Sequence, residues 1–96
     1  MRYKIVSIKH AGRHGIRGTD VDDPKYDGLI NSIVEMPNLD DSSIKYKSLH
    51  FDMIKTDSAY DWFHTSVVLA LYLNKNMNYV VETVNTLYEF EKLNER

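Results

Sequence analysis

The chain contains no cysteine, which removes a disulfide framework and a thiolate zinc site from consideration and suits a reducing compartment. Only two prolines and four glycines punctuate its 96 residues. No repeat, low-complexity tract or linker divides it, so residues 1–96 read as a single domain able to bury a core without staples. The longest apolar run, Val67 to Leu73, falls well short of the roughly 18 residues of a membrane span. At the N-terminus Ile5-Val6 is followed at once by Ser7, Lys9 and His10, which does not resemble a secretory leader. A soluble, cytoplasmic protein is the expectation. A basic excess is also missing, the net charge being −2. Proteins that track a long nucleic acid draw affinity from neutralised phosphates, so a compact anion, or a protein with a complementary surface, suits this chain better.

The charges that are present are segregated. Arg2, Lys4, Lys9, Arg13 and Arg17 precede Thr19 with no acid among them. From Asp20 to Asp41 the acids Asp20, Asp22, Asp23, Asp27, Glu35, Asp40 and Asp41 face Lys25 alone. Inside the basic part lies His10 to Gly18, where Gly12, Gly15 and Gly18 are spaced three apart among two histidines and two arginines. Glycine allows positive φ and close approach of backbone to a ligand, while Arg and His donate charge-assisted hydrogen bonds. The pattern points to anion capture, with Arg13 and Arg17 clamping phosphate oxygens and His10 or His14 donating. It is neither a P-loop nor a dinucleotide fingerprint, because the Gly-Lys-Ser/Thr ending and the G-x-G-x-x-G spacing are absent.

Periodicity indicates strands over most of the chain. Tyr3 to Lys9 is β-branched and aromatic and feeds the glycine loop. Pro24 and Asp27-Gly28 mark turns, and Leu29 to Met36 is expected to form a second strand stopped by Pro37-Asn38. Ile44 to Ile54 alternates with a change of phase, the signature of a bulge. Trp62 to Leu73 places Phe63, Thr65, Val67, Leu69, Leu71 and Leu73 on one strand face, although a short helix is also compatible. After the turn at Asn74-Lys75-Asn76, two readings stay open. Met77, Val80, Val81, Val84, Leu87 and Tyr88 fit helical spacing, whereas Asn78–Thr83 and Thr86–Glu91 make a hairpin that turns at Val84-Asn85 and puts Thr86, Tyr88 and Phe90 in one column.

Other chemistry is weaker. His10 and His14 are four apart, yet Gly12 and Gly15 oppose a helix and no glutamate lies between them, so even with His50 and His64 no metal site is expected. Asp20-x-Asp22-Asp23 lacks the glycine and closing glutamate of a calcium loop. His64 beside Thr65-Ser66, or His50 near Asp52, has no nucleophile elbow around it. A metal-free phosphodiester cleavage through His14 and Arg17 is the enzymatic alternative to a non-catalytic protein. Tyr60 to His64 is the most aromatic stretch; Trp62 or Tyr60 offers a face for a nucleobase, with His64, Thr65, Ser66, Asn85 and Thr86 as polar neighbours.

Tyr26-Asp27-Gly28, Trp62-Phe63-His64-Thr65-Ser66-Val67-Val68 and Glu82-Thr83-Val84-Asn85-Thr86-Leu87-Tyr88, following the arginine-bearing glycine loop, resemble elements of small all-β proteins of Firmicutes and their phages. The resemblance implies strands rather than helices at the C-terminus. The fold expected is therefore mainly β, a small strongly curved antiparallel sheet or barrel of five or six strands, with α+β as the alternative. It also implies a counter-defence protein in the host cytoplasm. The function expected is a non-enzymatic, cofactor-free module that captures a nucleotide or cyclic nucleotide through His10, Gly12, Arg13, His14, Gly15, Arg17, Gly18, Tyr60, Trp62, His64, Thr65 and Asn85. Two rivals stand beside it. One is inhibition of a host nuclease or defence enzyme through an acidic surface at Asp20, Asp22, Asp23 and Asp27; the other is a regulatory nucleic-acid-binding barrel. A homo-oligomer is expected, because a small sheet has edges to cover.

Overall fold

Alternating β-branched and aromatic residues become strands wherever they also find a partner strand. In the computed structural model, residues 1–94 are described. They contain β1 (Arg2–His10), β2 (Ile33–Glu35), β3 (Ser48–Lys55), β4 (Trp62–Leu73), β5 (Tyr79–Thr83) and β6 (Thr86–Lys92). Each strand pairs antiparallel with the next, and β6 returns to β1, so the sheet closes as a six-stranded barrel. Short 3-10 turns at Pro24–Tyr26 and Ser42–Ile44 are the helical elements among the described residues.

Inward residues of all six strands fill the interior: Tyr3, Ile5 and Ile8, then Val34, Leu49, Phe51, Val68, Val81, Tyr88 and Phe90. Burying each large side chain contributes on the order of 1.5–3 kcal/mol. Ile5 and Ile8 both face inward across an odd interval because the β1–β6 register slips between Ile5 and Ser7. Tyr3 meets Tyr79 and Phe90 edge-on at 6.0 and 6.3 Å, and its hydroxyl accepts the Leu39 N–H at 2.9 Å.

The C-terminal helices are not formed; residues 79–92 make the hairpin. Val-Asn is a poor primed turn, and neither residue takes a positive φ. The hairpin closes with side-chain help. Thr83 Oγ1 accepts the Thr86 N–H at 3.2 Å and donates to the Thr86 carbonyl at 3.3 Å. Burial of Thr86, Tyr88 and Phe90 follows the expected column.

Three other expectations need correction. The second strand keeps only Ile33–Glu35 of Leu29–Met36. Leu29 is drawn into the core, Asn31 adopts φ 71°, and Ser32 bonds Gly28 and Thr56, which bends the chain out of strand geometry. The phase change in Ile44–Ile54 combines a turn with an irregular pairing: Ile44 ends a 3-10 turn and Tyr46 is left-handed at φ 68°, so β3 starts only at Ser48, and its register with β4 then shifts between Ser48 and His50 as a bulge would make it. In β4, irregular pairing on both sides breaks the expected face. Val68 is buried, while Val67 and Leu69 are exposed.

Closure also changes the argument for oligomers. The upper part of β1 is covered by the chain folding back on it, through Lys9 with Asp20, His10 N–H to Thr19 and Val21 N–H to Ile8. Edge pairing with another copy is therefore not required by the sheet. No helix among the described residues is long and apolar enough to cross a membrane.

Glu89 fastens the barrel wall. Its carboxylate accepts from Ser7 of β1 and from the Asn74 and Asn78 side chains of the β4–β5 turn, each at 2.9 Å. Burial pushes this carboxyl up, but the bonds from Asn78, Asn74 and Ser7, with Lys9 nearby, outweigh it and hold it below its ordinary value. A carboxyl lowered on folding stabilises above its unfolded pKa, and that contribution disappears as pH falls through the folded value. Thermal melts between pH 7 and pH 3 test this. Wild type loses melting temperature in the acid range, and Glu89→Gln starts lower at pH 7 and shows a flatter profile.

Candidate functional site

The strand directions gather the sequence's chemistry at one end of the barrel. The glycine loop leaves β1 there, the β5–β6 turn meets it, and the 56–61 link enters β4. Ala11 N–H donates to the Asn85 carbonyl at 3.0 Å, and Gly18 N–H to the His10 carbonyl at 2.9 Å. Gly12 and Gly18 serve the turns of this loop. Gly15 is fixed by packing: a Cβ there would lie 2.6 Å from the His10 ring.

Arg17 is occupied within the protein. Its guanidinium bonds Glu82 of β5 through both nitrogens, at 3.1 and 2.8 Å, and also donates to the Ala11 carbonyl. The bond and charge of Glu82 raise its pKa above the ordinary value. Its role is to tie the loop to the barrel, which leaves Arg13 and His14 as the exposed, unengaged Arg and His side chains of the loop.

Two recesses at this end share Lys25, and the first of them borders the loop. The first, about 200 Å³, is lined by His10, His14, Asp23, Lys25, Tyr26, Asn85 and Thr86, with Val21. The second, about 470 Å³, is lined by Lys25, Tyr60, Asp61, Trp62, Phe63 and His64. Tyr26 packs against Phe63 at 5.9 Å and Tyr88 at 6.2 Å, and its hydroxyl lies 3.4 Å from those of Thr86 and Tyr88. Burial, with the Tyr26 bond, raises the Tyr88 hydroxyl well above its usual range, so it stays protonated within this network.

Trp62 is 54% exposed on the outer face of β4. His50 stacks on it at 5.6 Å and His64 meets it edge-on at 5.0 Å, while His50 Nε2 bonds Asp52 at 2.8 Å. Thr65 points the other way. It is buried, accepts the Leu49 N–H and donates to the Ser66 carbonyl, so it lies outside the site. The histidines form two separate groups, and among the described residues no three metal-binding side chains converge.

No family model, curated protein or solved structure matches this chain.

Of the expected residues, His10, His14 and Asn85 meet in one recess and Tyr60, Trp62 and His64 in the other. Lys25 and Tyr26 were missed. The available signal was that Lys25 is the lone cation within the acidic segment. Asp20, Asp22, Asp23 and Asp27 also meet, around a third recess of about 510 Å³ floored by Val6 and Ile8. Asp23 borders both this recess and the first one, and its carboxylate accepts the Lys25 N–H at 3.0 Å.

The segment carrying Lys25 is held against the 56–61 link by Gly28. At φ 78°, its backbone sits so close to Asp57 and Ser58 that an added Cβ would lie 2.6 Å from main-chain atoms. Gly28→Ala is expected to cost roughly 1–3 kcal/mol. Denaturant unfolding measures that loss, and an unchanged midpoint would show that the segment shifts freely.

Proposed function

We propose that this protein is a non-enzymatic binding module for a small phosphorylated ligand of the nucleotide class. The observation that carries the reading is a pair of recesses that both have Lys25 in their lining, one edged by His10 and His14 and the other by Trp62 and Tyr60. In this arrangement His14, His10 and Lys25 receive the phosphate, with Arg13 of the same glycine loop supplying further charge. Charge-assisted bonds to phosphate oxygens are the strong kind. Trp62 or Tyr60 stacks the base, an interaction of about 1–3 kcal/mol per base. Asp23 is the adverse group, and its charge is offset by Lys25, whose ammonium lies 4.0 Å away. Arg17 acts indirectly by holding the loop. Sequestration of a signalling nucleotide is the biological role that the phage-like resemblance suggests for such a module.

Calorimetry with mono-, di- and cyclic nucleotides tests the reading. Binding is expected to weaken at least about tenfold in His14→Ala with Lys25→Ala, and by a similar factor in Trp62→Ala. Absence of binding across the panel, or indifference to these changes, rejects it.

A second reading rests on the third recess. Four aspartates around an apolar floor suit a lysine or arginine side chain, whose stem is apolar and whose head is cationic. A basic protein partner inhibited through this surface would bind less tightly as salt rises. Lysine at Asp20, Asp22 and Asp27 would abolish that complex and leave nucleotide binding in place, which separates the two readings.

A further inference from the structure

Closure leaves no strand wholly unpaired, yet β4 outruns the neighbour on its β3 side. β3 begins at Ser48, opposite Val67, and the Tyr46 N–H and Lys47 carbonyl carry the pairing one residue further, to Val68. Beyond that point β4 pairs with β5 alone, as far as Leu73. Among the described residues, the backbone of residues 69–73 makes no bond outside that ladder. Residues 65–74 contain no proline and no Asp, Glu, Lys or Arg, the usual devices that blunt an open edge. Leu69, Tyr72 and Leu73 are 41%, 41% and 48% exposed along it. Lys45 and Lys47 stand at one end of this stretch and Lys75 at the other. All three are exposed and form no ion pair among the described residues. The acid on the adjoining ladder, Glu82 opposite Ala70, is held by Arg17.

We propose that this part of β4 is a strand-addition site for an extended protein segment whose apolar middle is bracketed by acidic residues. Open N–H and C=O groups on a strand edge pair with an incoming backbone, which supplies affinity, while side chains supply specificity. Leu69 and Leu73 offer apolar cross-strand contact to such a segment. The lysines at both ends select its charge, since complementary potentials favour the right partner and like charges reject the wrong one. Lys75 lies seven positions beyond Val68, roughly 20 Å of extended chain, so the segment's acids stand about six residues apart. A second copy fits badly. Laid antiparallel with Leu71 on the two-fold axis, it would bring Lys75 of one chain to Val67 of the other, beside Lys47. None of these residues lines the three recesses, so the surface is separate from the nucleotide reading and does not rest on it.

The test is fluorescence anisotropy on the full chain with a labelled peptide, Glu-Glu-Val-Thr-Val-Thr-Val-Glu-Glu, and its counterpart carrying lysine in place of each glutamate. The acidic peptide is expected to bind at least about tenfold more tightly than the basic one, and to weaken as salt rises. Lys47→Gln with Lys75→Gln, both changes at exposed side chains, lowers its affinity by about tenfold. Backbone N-methylation tells strand addition from charge attraction alone. Methylating the valine amides and methylating the threonine amides block opposite edges of the peptide, so one pattern abolishes binding and the other leaves it. No binding of the acidic peptide, equal binding of the basic one, or equal effects of the two methylation patterns overturns the proposal. Sedimentation of the chain alone gives the remaining arm: a monomer is expected. A dimer that Leu69→Glu or Leu73→Glu dissociates would show that a second copy covers this edge, and would overturn it as well.

Discussion

The pairing of β6 with β1 is the constraint from which the rest of the structure follows. It joins residues at opposite ends of the chain, as in the Ser7–Glu89 hydrogen bond across 82 positions. Such closure loses loop entropy before it gains contacts, and folds rich in long-range pairing form slowly. Once made, it removes both lateral edges of the sheet and confines Tyr3, Ile5, Tyr88 and Phe90 to a common interior. The same pairing sets His10 opposite Thr86, which brings the glycine loop to the β5–β6 turn. The recess lined by His10, His14 and Asn85 is thus a product of barrel closure.

Around that end the protein separates charge over short distances. Arg17 is drawn to Glu82, Lys9 faces Asp20, and Lys25 lines both the histidine recess and the aromatic one. Bidentate pairing makes Arg17 a structural tie, and its removal from the candidate phosphate set shifts that role to His14, Lys25 and Arg13. An exposed ion pair of this kind contributes modestly to stability, so its value lies in fixing where the loop sits.

Much of the fold was legible in the sequence. The β-branched and aromatic content of Tyr3–Lys9 and the Thr86, Tyr88, Phe90 column both identify strands that the structure contains. The β4 boundaries agree as well, yet its inward face does not, because the irregular pairing on both sides that places Val68 inward depends on neighbouring strands. The Val84-Asn85 turn was read as a poor one from backbone preferences alone; the Thr83 hydroxyl that stabilises it becomes useful only when the two arms meet. Tyr46 in the left-handed region was likewise hidden within an apparent alternation.

The sequence by itself determined residue chemistry and local period: a cysteine-free β protein with a basic glycine loop, an acidic stretch and one aromatic cluster. Side-chain alternation and composition carry that information along the chain. Only the tertiary structure decided which groups remain available. It committed Arg17 to Glu82, buried Thr65, placed Lys25 between two recesses and left Asn85 Oδ1 without a donor. Availability depends on contacts between residues distant in sequence, and barrel closure makes those contacts.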